Sequence, residues 1–100
     1  MSSHAIVESR SLALHRAVAA RLLVDERVLE RARSRVATWR REGGVHPRYC
    51  AEWEHVLTGS PAEVAAFLER DDEHARALRQ ASPFAGALDA RERWQILRSM

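Results

Sequence analysis

The chain has no lysine. All 16 of its basic residues are arginine. Together with its wealth of alanine, this reads as coding bias of a GC-rich bacterial genome, so no arginine is marked for phosphate chemistry by its type alone. There is one cysteine, Cys50, which excludes an internal disulfide and agrees with a reducing compartment. No apolar run approaches the roughly 20 residues that a membrane-spanning helix needs. The opening MSSHAIVESR lacks the apolar stretch of a secretory signal. These absences predict a cytoplasmic protein with no membrane association. No segment alternates apolar and polar residues long enough to make a strand.

What remains is a chain of 100 residues, 46% hydrophobic and 30% charged. That balance suits one globular domain with a modest core. Residues 1–9 show no period and are expected to form a disordered N-terminal segment, with a single helical domain over 10–100. Within it, Leu14, Val18 and Leu22 recur every fourth residue and predict a helix over 11–24. Asp25 caps a second over 26–41, whose stripe is Leu29, Ala32, Val36 and Trp39. Gly43 and Gly44 end it.

Pro47 opens a third helix, with Tyr49, Cys50, Trp53, Val56 and Leu57 on one face. SPAE is a capping box for a fourth, Ser60 with Glu63, burying Val64, Phe67 and Leu68. Asp71 or Asp72 opens a fifth, with Ala75, Leu78 and Ala81, and Ser82-Pro83 ends it. Asp89 with Glu92 caps the last, which carries Trp94, Ile96 and Leu97. The fold class is therefore all-α, a compact bundle of about six short helices joined by short loops.

Charge is polarised along the chain. From Arg10 to Arg48, ten arginines stand against four acids, an excess of +6. From Tyr49 to Glu92, four arginines stand against nine acids, an excess of −5. Such halves can neutralise each other, pair two copies head to tail, or offer a basic face to an acidic partner. Arg27 and Arg31 lie opposite the apolar stripe of the second helix and Arg35 on its flank, a face able to hold phosphate nonspecifically.

Three chemical constellations are present and each has a plain structural reading. His46, Cys50 and His55 hold ligand-type atoms, but Pro47 intervenes and His55 leaves the stripe, so Cys50 reads as buried and inert and no metal or cofactor is expected. Arg41 and His46 resemble the Arg-then-His spacing of the small helical ribonucleases named for their HEPN domain, yet Gly43 and Gly44 separate them. SPAEVAAFLERDDEHARALRQ has the outline of a helix-turn-helix, but its second helix opens on Asp71-Asp72-Glu73, which phosphates repel.

The last feature is an apolar loop, SPFAG, at residues 82–86. Phe84 either fills the domain's own core or meets a partner, since interfaces favour aromatic and arginine anchors. Trp39, Trp53 and Trp94 sit on apolar stripes and are expected in the core.

With SLALHRAVAARL, RARSRVATWR, EWEHVLTGSPAEVAAFLE and ALRQASPFAGALDARERWQILR in view, the chain resembles a small helical antitoxin-like domain of bacterial toxin–antitoxin operons. LRQASPFAG followed by ERW is the most specific part, and the likeness covers about residues 8–98. In that family the domain often follows a helix-turn-helix, and the neighbouring gene often encodes a nucleotidyltransferase-like toxin. The resemblance implies a non-enzymatic module that binds and neutralises a partner toxin enzyme. No DNA-binding domain precedes the helices here, which favours a stand-alone binder. The expected contact residues are Arg79, Pro83 and Phe84, with Arg27, Arg31 and Arg35. The alternative is a small basic protein that binds nucleic acid through the same arginines.

Overall fold

The computed structural model of the chain describes residues 3–100. Six helices follow one another: α1 (Ser3–Leu22), α2 (Glu26–Glu42), α3 (Pro47–Val56), α4 (Pro61–Leu68), α5 (Glu73–Arg79) and α6 (Ala90–Arg98). There is no strand among the described residues. The chain is an all-helical bundle, with a radius of gyration of 13.2 Å that matches the roughly 13 Å of a compact domain this size.

Local chemistry sets the boundaries. Asp25 accepts the Arg27 backbone N–H at 3.1 Å and starts α2. Gly43 ends it at φ +82°, a left-handed value that favours glycine, with its N–H on the Trp39 carbonyl. Ser60 and Glu63 form a reciprocal box, each side chain accepting the other's backbone N–H, at 3.2 and 3.0 Å. Asp89 and Glu92 repeat it at α6. Each cap satisfies N–H groups that have no partner inside the helix.

α1 crosses the bundle and packs against α2, α4, α5 and α6, while α3 closes on α2 and α5. The core is one continuous cluster in which Trp53, Leu22, Leu68, Leu78, Val36, Val64 and Cys50 are wholly buried. Trp53 is its centre. Its indole meets Phe67 and Phe84 edge-on, with ring centroids 5.7 and 5.9 Å apart, and its Nε1 donates to the Ala81 carbonyl at 2.7 Å. Aromatic pairs in this geometry contribute beyond the area they bury.

Two expectations need correction. The segment 1–9 was expected to be disordered, but α1 already runs from Ser3; Met1 and Ser2 lie outside the described residues. Residues 4–10 contain no helix breaker, and this stretch overhangs the core with Ile6 and Val7 exposed. Without a buried face it has no apolar period to read. Trp94 was expected in the core, but it is 59% exposed and α6 buries no residue at all. Its ring lies instead under the Arg98 guanidinium, 5.0 Å from the centroid. Trp39 lies between these extremes, half-buried against the core.

Candidate functional site

The SPFAG loop is pinned from within. Pro83 and Phe84 are buried, whereas Ala85 and Gly86 are exposed. Gly86 takes φ +84°, and the Ala87 N–H closes a turn onto the Phe84 carbonyl at 3.0 Å. Ser82 Oγ accepts the Phe84 backbone N–H at 3.2 Å and lies 2.8 Å from His15 Nε2. His15 Nδ1 lies 2.7 Å from the Ser11 carbonyl, which only accepts, so Nδ1 carries the proton. Nε2 then accepts from the Ser82 hydroxyl, and the ring ties α1 to the loop.

This imidazole is held neutral. Burial lowers its pKa below the ordinary histidine value; the Ser11 carbonyl partly opposes this, and the nearby Arg79 charge adds to it. Sequence reasoning overlooked His15. The signal was its position, since Leu12, His15, Val18, Ala19 and Leu22 form the buried stripe of α1.

The structure brings two of the predicted features together. The outer side of the loop faces α2 across a cavity of about 200 Å³, with Arg31 and Arg35 on one wall and Ala85, Gly86 and Ala87 on the other. Both arginines are exposed and form no ion pair among the described residues. Arg27 differs. Its Nε and one terminal nitrogen grip Asp25 at 3.0 and 3.1 Å, so the basic stripe shrinks to a pair. The opposite side of the loop borders a second cavity of about 180 Å³, where His15, Ser82 and Phe84 meet Leu14 and Arg93.

The other candidate contacts lie inward. Phe84 is 5% exposed and fills the core beneath its turn, and Pro83 is buried beside it. Arg79 is 4% exposed, with one terminal nitrogen donating to the Arg70 carbonyl. Pro83 and Phe84 offer no side chain to a partner, and Arg79 reaches the surface only at an edge beside α1. His46 uses its Nδ1 to accept the Arg48 N–H and cap α3, at 3.1 Å, while Cys50 is buried on the Trp53 face. Arg41 reaches back to the Thr38 hydroxyl at 3.3 Å rather than toward His46.

In the helix-turn-helix outline, Asp71 and Asp72 are bound to Arg76 and Arg70. The Arg70 guanidinium, aided by the Ala75 N–H, draws the Asp72 carboxyl down to about 2. The end of α5 that would meet phosphates therefore presents ionised carboxylates held by arginines of their own segment, with no arginine there left free of a carboxylate for a phosphate. The polarised halves partly neutralise each other within the fold, through Arg21 with Glu92 and Arg40 with Glu54. No family model, curated protein or solved structure matches the chain, which leaves the site itself as the ground for function.

Proposed function

We propose that the chain is a non-enzymatic interaction module that binds a partner protein in the cleft between α2 and the SPFAG loop. The observation that carries this reading is the Arg31–Arg35 pair, exposed and without an ion pair among the described residues, beside the exposed Ala85 and Gly86. Arg21, Arg27, Arg40, Arg48, Arg70 and Arg76 are engaged by carboxylates, and of the exposed arginines that are not, Arg31 and Arg35 stand one helical turn apart on the wall of this cleft. A guanidinium pair recognises carboxylates through paired hydrogen bonds, and arginine beside small apolar surface is a mix that interfaces favour. The partner is a protein that presents acidic side chains flanked by an apolar one. In the antitoxin-like reading it is a toxin enzyme of nucleotidyltransferase type, restrained by blocking its nucleotide or RNA site.

The test is charge reversal. The double variant Arg31→Glu/Arg35→Glu changes only exposed positions, so its melting temperature stays near that of the parent. The tagged parent chain, treated with nuclease, retains one stoichiometric protein from its host, and the variant loses it. The parent relieves growth arrest by the neighbouring-gene toxin on co-expression, and the variant does not. Retention of the same protein by the variant moves the interface elsewhere. Recovery of nucleic acid alone supports the alternative, whose affinity would fall with a log–log salt slope of roughly −2 for two phosphate contacts.

A further inference from the structure

Arg79 is the polar anomaly of this fold. It is 4% exposed, yet no carboxylate forms an ion pair with it among the described residues. One terminal nitrogen donates to the Arg70 carbonyl, while Nε is buried with no hydrogen-bond partner. Arg76 and Arg16 repel its charge, and burial lowers its pKa. Asp71 and Asp72 attract it from a distance, but each is bound to another arginine. Buried charges in proteins are almost always paired, because an uncompensated one is costly. A buried donor left open asks for a ligand or a water.

The surroundings answer to an anion. Arg79 and Gln80 form one side of a groove of about 530 Å³, and Ser3, His4, Val7 and Ser11 of α1 form the other. Ser3, Val7 and Ser11 are spaced by four residues, so they share one face of the helix. The first turn of α1 holds no acidic residue, and a helix N-terminus favours negative charge. Two hydroxyls, an amide and a guanidinium thus line the groove, with the His4 imidazole turned to Glu8 and Val7 the one apolar member. Glu8 stands at the edge, in a hollow of about 10 Å³ shared with Arg76 and Arg79, and is held by His4 at 3.0 Å.

We infer that the groove between the N-terminal turns of α1 and the end of α5 is a binding site for a phosphate monoester, with Arg79 as its anchor. The free donors stand on both walls of the groove, Ser3 and Ser11 on α1 with Gln80 and Arg79 opposite, a spread that suits the outward oxygens of a tetrahedral oxyanion better than the coplanar pair of a carboxylate. The groove exceeds one phosphate in volume, leaving room for a sugar-sized group carried on it. This site shares no residue with the α2–loop cleft, so it stands or falls separately from the proposed protein contact.

The experiment is titration of the full chain with inorganic phosphate and with ribose 5-phosphate, followed by calorimetry and by the Arg79 Nε–H resonance. Saturable binding of phosphate with a dissociation constant on the order of 1 mM, tighter binding of the ester, and a shift of that resonance are expected. Gln80→Glu, at an exposed position, keeps the fold and weakens both ligands at least about tenfold. Glu8→Gln tightens them. Arg79→Gln abolishes binding; if that variant fails to fold, Gln80→Glu carries the test. Absence of saturation, a silent Arg79 resonance or unchanged affinity in Gln80→Glu overturns the site. An ester that binds no better than phosphate overturns the monoester assignment.

Discussion

Trp53 and Trp94 both stand on apolar stripes of short helices, and their surroundings could hardly differ more. Trp53 is wholly buried, with its indole N–H satisfied and an aromatic edge on two sides. Trp94 is 59% exposed, with the Arg98 guanidinium over its ring. The cause is not the helices themselves. α3 lies between α2, α5 and the SPFAG loop, whereas α6 leans on α1 from one side, tied by Arg21 and Glu92. Periodicity creates a face, and only a covering element buries it.

The loop's own aromatic gives the largest expected effect. Phe84→Ala removes one of the rings against Trp53 and should cost roughly 3–5 kcal/mol in denaturant unfolding. A loss under about 1 kcal/mol would mean that Trp53 does not depend on the loop for cover, and the contrast with Trp94 would collapse.

Acid should act on the same side of the molecule. The folded pKa of His15 lies below its unfolded value, chiefly through burial, so the unfolded chain binds the proton more readily. Stability is then complete above the unfolded value, falls as pH drops through about 6.5, and levels once the folded value is passed. The groups facing the ring are Ser11 of α1, Ser82 of the loop, Arg79 of α5 and Arg93 of α6, with no carboxylate among them. Unfolding measured from pH 8 to pH 5 should show this decline, and His15→Gln should flatten it. An equally steep decline in that variant would place the titration elsewhere.

Helix caps probe the comparison more gently. Ser60→Ala and Asp89→Ala each remove a capping box worth about 1 kcal/mol. α4 buries Val64, Ala65, Phe67 and Leu68, so its cap loss should reach the global unfolding midpoint. α6 has no fully buried residue and only Ile96 partly buried against the core, so its cap loss should appear as faster amide exchange within α6 and little change in the midpoint. Equal midpoint shifts would show that α6 unfolds with the core.

Much of the fold was legible because its signals are local. Ser60 with Glu63, Asp89 with Glu92, and Pro47 and Gly43 mark helix ends by chemistry that acts within a few residues. The site was less legible because it is made by distant contacts. Arg79 follows Leu78 and stands four residues after Ala75, so spacing put it inward, but its charge argued for the surface. Ser11, His15 and Ser82 become one chain of hydrogen bonds only when α1 meets the loop. The SPFAG loop and the Arg31–Arg35 face were each visible in sequence. Their meeting across one cleft was not, because no local pattern encodes which helix a loop will face.

The smallest expected effect is at Trp94. Its ring packs mainly on an exposed guanidinium, so Trp94→Ala should change stability by no more than about 0.5 kcal/mol. Its indole should also be quenched by iodide while that of Trp53 is not. The result becomes informative if it is larger. A loss above about 2 kcal/mol exceeds what a ring that is 59% exposed and lies against the Arg98 guanidinium contributes within one chain. It would require that a second copy covers α6 in solution, as the polarised halves of the sequence allow. Stability would then rise with protein concentration, because association favours the folded state by mass action, and a melting temperature independent of concentration would exclude it.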